Sequence, residues 1–509
     1  MDSTPSRELA DFLMSLRGRI PERLAARAGD CLVDTAGAMI YGATLPWTGA
    51  VTAHALATGG AGRSSVFAAG SQPAGRASSA VIPRASNDPR GSSSAAAGTS
   101  ATASTSATAG TLADDEPAAS SDDSSLPVRR TTPAMAALAN GAAAHAFELD
   151  DVHEEAISHP GAVVVPAALA LAEELDVSGA ELTEALVIGY EAMGRAGIAV
   201  GPAAHMLGGF HPTSMSGVFG SAAAAGALLG FDGERLNHAF GIAASLASGT
   251  MEFAASGGMA KRLHAGRAAE GGLTAALLAA EGFEGATDGL AGRYGFCRVF
   301  SAEPRVELLT DQLGDRWMID EITVKPWAAC SDIHPLIQAT LELRDEHGLL
   351  GAAIERIVRI DAWGPTKAAE QNSLDGTVSV MAAQYSAQFN IAAALLADPA
   401  DPATYSPDRI ASPEVAALQA KVASVIAAPE FDATYAHKMG GRVRIAFDDG
   451  STVERTVHGQ RGSMHDPFDS SDIDAKFAAV TSGLAPPTTA ARLRSAITGP
   501  ARRLLISLV

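Results

Sequence analysis

Only three cysteines occur in 509 residues, Cys31, Cys297 and Cys330, and they lie far apart. That scarcity excludes a disulfide framework and any CxxC zinc or redox motif, and it points to a reducing compartment, the cytoplasm. Basic residues are outnumbered, 37 Lys and Arg against 57 Asp and Glu, for a net charge of −20. A field of that sign disfavours nucleic acid and anionic membrane as primary partners, while leaving room for a local basic pocket. Aromatic residues make up only 5% of the chain. The longest apolar stretches are Ala- and Gly-rich and are broken well before the roughly 20 residues a membrane span needs. The opening MDSTPSRELADFLMSLRGRI has neither a signal-peptide core nor an Arg-rich, acid-poor transit character. Familiar chemistry-bearing strings are missing too. No GK[ST] phosphate loop, GxSxG elbow or GxGxxG turn can be written, and HEEAI at His153 fails as HExxH because Ile157 stands where the second histidine belongs.

What is present is a large apolar fraction, 47%, enough for two compact domains. Helical spacing or Ala-rich composition predicts helices over Pro21–Tyr41, Pro133–Asp150, Ala162–Leu175, Leu182–Ala199, Ser214–Leu229, Leu236–Ala247 and Leu263–Glu281. Residues 84–130 interrupt this domain. From Gly91 to Gly110 every residue is Gly, Ala, Ser or Thr, so no large apolar side chain offsets the entropy of ordering, and a disordered insertion is expected. Near Trp317 the pattern turns β-branched, in WMIDEITVKPW, IERIVRIDAW and GRVRIAFDDGSTVERTV, with helices expected over Pro335–Glu346 and Ala382–Leu396. The expected fold is mainly α: a large all-helical domain over 1–324, an α+β lid over 325–462, and C-terminal helices over 463–509 that return to the first domain.

The densest polar cluster is NGAAAHAFELDDVHEEAISHPG, residues 140–161, holding His145, Glu148, Asp150, Asp151, His153, Glu154, Glu155 and His159 beside apolar helices. Isolated polar residues stand in Gly-, Pro- or Ala-rich settings elsewhere: His211 in GGFHPT, Lys261 and His264 in MAKRLHAG, His334 in KPWAACSDIHP. Any one of them fits a buried structural histidine or a surface lysine. As a set they suit proton transfer on a small polycarboxylate, since imidazoles exchange protons near neutral pH and an ammonium steadies a carboxylate or a nascent carbanion. Two rival readings stand beside this one. DDVHE at Asp150 imitates the acidic metal motif of a magnesium-dependent isoprenoid synthase, and a non-catalytic protein could bind metabolites or a partner through the Ser/Ala-rich insertion.

These same segments, with GYE, GLAGRYGF and GRVRIAFDDGS, resemble the MmgE/PrpD family, which includes 2-methylcitrate dehydratase and cis-aconitate decarboxylase. The resemblance runs over nearly the whole chain outside the insertion. It implies a homodimer of helical domain and lid, with a site that needs neither cofactor nor metal, and a lyase, or alternatively an epimerase, of small di- or tricarboxylates. Carried over residue by residue, it makes His159 a general acid or base, His211 and Lys261 carboxylate anchors, His334 a lid-borne proton donor, Asp150 their electrostatic partner and His153 a further pocket residue. The choice of pocket acid among Glu148, Asp150 and Asp151 stays open. Where related decarboxylases carry a tyrosine this chain has Phe389 in AAQYSAQF, so a phenolic hydroxyl is missing unless Tyr385 substitutes.

Overall fold

The computed structural model describes residues 4–68, 127–201, 208–253, 258–374 and 379–498. Its N-terminal body is built from α1 (Pro5–Ser15), α2 (Glu22–Ala43), α3 (Pro46–Thr58), α4 (Pro133–Ala144), α5 (Gly161–Leu175), α6 (Gly179–Val200), α7 (Pro212–Leu228), α8 (Gly233–Ala244) and α9 (Ala260–Ala280). Proline in the first turn opens α1, α3, α4 and α7, where its missing N–H costs nothing. A Ser178–Glu181 capping box starts α6.

Glycine sets how closely these helices approach. A Cβ on Gly266 of α9 would stand 2.2 Å from the Leu138 carbonyl of α4, and one on Gly141 would stand 2.8 Å from Gly266 Cα. Bare backbone at this crossing brings the end of α4 to the start of α9, where Arg262 Nε donates to the Ala146 carbonyl over 3.1 Å. The site grows from that junction.

Among the described residues the body is helical apart from two short antiparallel ribbons. In the first, β1 (Ser64–Phe67) pairs with β2 (Val128–Thr131). The expected disordered insertion lies outside the described residues up to 126, but its last residues, from Val128, form β2, because Val128 and Thr131 suit a strand held against β1. In the second, β3 (Val152–His153) pairs with β4 (Ile322–Thr323). The WMIDEITVKPW segment therefore joins the body's polar loop instead of the lid sheet. The expected helix over 133–150 also stops early, at Ala144.

The lid sheet contains β5 (Ile357–Gly364), β6 (Ile426–Ala427), β7 (Gly440–Phe447) and β8 (Thr452–His458) in the order β6-β5-β7-β8, with β5/β6 parallel and the other pairs antiparallel. Helix α10 (His334–His347) covers β7 and β8, and α11 (Thr366–Gln371), α12 (Val380–Tyr385) and α13 (Ala387–Leu396) complete the lid. Then α14 (Ser470–Val480) and α15 (Thr489–Thr498) pack back on α2.

Buried apolar side chains accordingly form two large clusters beside a small one of Ala156, Ile198 and Met318. One runs from Leu9 to Val324 and takes in Ile473, Phe477 and Leu493, while the other is centred on the lid and reaches Ala38, Phe147 and Leu149 of the body. No helix among the described residues is long and apolar enough to cross a membrane.

Candidate active site

After α4 the chain cannot continue as a helix, because Glu148 adopts φ 58°, a left-handed conformation that costs a non-glycine residue about 1 kcal/mol. The turn sends the Glu148 carboxylate into a cavity at the seam of body and lid. This cavity measures about 90 Å³, room for a small acid and well below the roughly 300–1,000 Å³ of drug-sized sites.

On the body side Lys261, from the first turn of α9, donates to Glu148 Oε1 and, over 2.7 Å, to the Tyr385 hydroxyl. Lys325 approaches the other Glu148 oxygen at 3.4 Å. Burial disfavours charge on Glu148, yet the two ammonium groups outweigh it and hold the carboxyl well below its usual range. Burial and the neighbouring Glu148 charge keep the Tyr385 phenol protonated far into the alkaline range.

The imidazoles form a second group. His145 Nδ1 donates to Asp150 Oδ2 over 2.5 Å, and His159 Nδ1 donates to the Asp151 carbonyl over 2.7 Å while standing 3.4 Å from Asp150 Oδ2. Because a carbonyl only accepts, the neutral His159 ring carries its hydrogen on Nδ1 and presents Nε2 as a lone pair. Burial pushes His159 down to about 3, with Asp150 opposing, so the ring is neutral at pH 7. Burial works against charge on Asp150 too, but His159 and His145 keep that carboxyl well below its usual range. His211 Nδ1 lies 3.0 Å from His264 Nδ1, and burial, with His145 and Lys261 nearby, drives His211 far below the normal histidine range. The nitrogens of His145 and His159 and an Asp150 oxygen lie within 4.8 Å of one another, close enough to hold a metal ion; here His145 is hydrogen-bonded to Asp150 and His159 to the Asp151 carbonyl.

From the lid come Asp332, Lys367 and Tyr435, the tyrosine donating to Asp332 Oδ1 over 3.3 Å. Glu154 joins the two halves, its Oε1 accepting from Thr323 of β4 at 2.7 Å and from Gln460 beyond β8 at 2.9 Å. Burial raises its carboxyl to about 7.

His159, His211 and Lys261 thus line one cavity, with Asp150 buried behind His159. Two further expected residues do not line it either. His153 alternates with the cavity-lining Val152 along β3, so its ring faces the other way, its Nε2 3.6 Å from Glu321. His334 starts α10 behind the wall, its ring tilted against Trp327 at a centroid distance of 5.3 Å, with Nε2 donating to the Ala329 carbonyl over 3.1 Å. Of the three candidate acids, Glu148 faces the cavity, whereas Asp151 is spent on the Tyr190 hydroxyl at 2.7 Å and Gly161 N at 2.8 Å. That geometry also removes the acidic pair on which an isoprenoid synthase would depend. Phe389 is buried against Tyr405, and Tyr385 supplies the phenol. The sequence reading missed Lys325, Lys367, Asp332 and Tyr435. Lys325 and Asp332 both lie within the quoted KPWAACSDIHP string and could have been found there, while Lys367 and Tyr435 carry no local signal.

Fold and site together define a two-part, mainly helical protein with lysines and imidazoles gathered at the seam between body and cap. The chain belongs to the MmgE/PrpD family: residues 92–309 match the MmgE/PrpD N-terminal domain and 327–498 the MmgE/PrpD C-terminal domain. It is 32% identical over 367 residues to a cis-aconitate decarboxylase of Aspergillus terreus, covering 68% of this chain and 74% of the relative. Similar values link it to the cis-aconitate decarboxylase-like protein oryM of Aspergillus oryzae, 31% over 385 residues with 70% and 77% covered. The human cis-aconitate decarboxylase is 30% identical over 363 residues, covering 69% and 73%.

Proposed function

We propose that this protein is a lyase of small di- or tricarboxylates, of the cis-aconitate or 2-methylcitrate kind, with decarboxylation as its first reaction. The supporting observation is the single cavity that gathers the Lys261, Lys325 and Lys367 ammonium groups, the His159 Nε2 lone pair and the Tyr385 hydroxyl. In decarboxylation the bond to the departing carboxylate breaks and its electron pair stays on the substrate carbon. Lys261 and His211 anchor the neighbouring carboxylate, over which the charge spreads. Tyr385 accepts from Lys261, which leaves its own O–H free to protonate that carbon, and Lys261 can return the proton to the phenolate. Names of relatives at 30–32% identity favour this reaction. The neutral His159 favours a second, elimination of water, in which Nε2 removes a Cα hydrogen while an acid protonates the leaving hydroxyl.

A homodimer in the cytoplasm, where the free Cys31, Cys297 and Cys330 stay reduced, completes the proposal. To test it, purified protein is incubated with cis-aconitate, 2-methylcitrate and citrate and the products are followed by mass spectrometry. Loss of carbon dioxide from cis-aconitate is expected, loss of water from a hydroxy acid would establish the second reaction, and no turnover of any acid would overturn the reading.

A further inference from the structure

Among the cavity's three ammonium groups, Lys367 differs in how its donors are used. Lys261 donates to Glu148 and Tyr385, and Lys325 meets Glu148 at 3.4 Å. Lys367 is 9% exposed and lines the cavity, but its nearest carboxylate oxygen, Asp332 Oδ2, is 3.8 Å away, beyond hydrogen-bond reach. Its other neighbour is the face of Tyr435, 5.7 Å from the ring centroid. Among the described residues no group accepts a hydrogen bond from it. Its ammonium carries three donors and opens on the cavity, so an acid entering there can take them. Asp332 and Tyr435 balance the charge and hold it in place without taking those donors.

The surroundings are built to keep it there. Thr366 N and Thr366 Oγ1 bond to the Asp432 carboxylate at 2.7 and 2.8 Å, which ties α11 to the segment carrying Tyr435. One turn further along α11, Gln371 lines the same cavity, as the i, i+4 spacing of a helix face requires.

Resting on the polycarboxylate reading above, we propose that Lys367 is a lid-side anchor for a second carboxylate of the substrate, remote from the one held by Lys261. The site then selects acids with carboxylates at both ends, and such an acid joins body to lid. Lys367 binds and positions the substrate; it does not take part in the bond-breaking step.

The test uses the full chain and tricarballylate, a saturated tricarboxylate with no bond to cleave, titrated calorimetrically into wild type, Lys367→Met, Lys367→Arg and Gln371→Ala. Lys367→Met is expected to weaken binding tenfold or more, Lys367→Arg to restore most of it, and Gln371→Ala to weaken it a few-fold. Gln371 is exposed, so its variant folds even if Lys367→Met does not. With cis-aconitate, Lys367→Met is expected to raise KM tenfold or more and leave kcat within about threefold. Wild-type affinity in Lys367→Met, or in Gln371→Ala should Lys367→Met not fold, overturns the anchor, as does a wild type that does not bind tricarballylate. A wild type that binds tricarballylate but turns over no acid refutes the lyase and leaves the anchor standing.

Discussion

His153 and His159 sit six positions apart in one polar loop, and residue type alone does not separate them. The structure does: a two-residue strand turns His153 to Glu321, and the Asp151 carbonyl fixes the His159 tautomer with Nε2 free. His159→Ala is therefore expected to lower kcat/KM by roughly 10²–10⁴-fold, the usual range for a general acid or base. His153→Gln is expected to stay within a few-fold of wild type, and steady-state kinetics of the two variants check both outcomes. At this scale the sequence was legible where a helix terminus aims the side chain into the seam, as for His211 before α7 and Lys261 at the start of α9. Legibility failed where short-range geometry decides: the alternation of β3, the left-handed Glu148, and His334 folded back on its own segment.

Among the elements, α1 and α3 were not expected from the sequence, but the long, largely buried body helices α2 and α4–α9 could be read from helical spacing or Ala-rich composition. Their crossings could not, since the Gly141–Gly266 contact joins residues 125 positions apart and only the fold brings them together. Nor could the sheet partner of Ile322, which a β-branched run predicts as strand without saying which strand it meets. The β1–β2 ribbon carries a further consequence. Phe67 is paired with Val128, and Ala68 N donates to the Pro127 carbonyl over 3.1 Å, so the ends of the Ser/Ala-rich stretch are held side by side by the body itself. Deleting residues 91–125 is expected to leave both Tm and turnover nearly unchanged, as measured by thermal unfolding and the product assay. Loss of function with an unchanged Tm would instead favour a binding role for that stretch.

At the scale of the whole molecule, burial of imidazoles couples stability to pH. His334 is pushed down to about 3, mainly by burial and then by Lys325, whereas an unfolded histidine titrates near 6.5. Between those values the unfolded chain binds a proton that the folded ring refuses. The contribution of this ring is thus present above about pH 6.5 and is lost as pH falls towards 3. His334→Gln keeps a donor for Ala329 and removes the titration. Denaturant unfolding from pH 7 to 4 is expected to show wild type losing stability relative to this variant, by up to roughly 1.4 kcal/mol per pH unit. A pH-independent difference would contradict it.

The most direct measurement for the whole account is a crystal structure of the protein with tricarballylate bound. One acid molecule is expected at the seam, a carboxylate on Lys261 and His211 and its central carbons beside His159 and Tyr385. An acid bound away from those residues, or a seam closed to it altogether, would contradict the claim that these groups share one substrate.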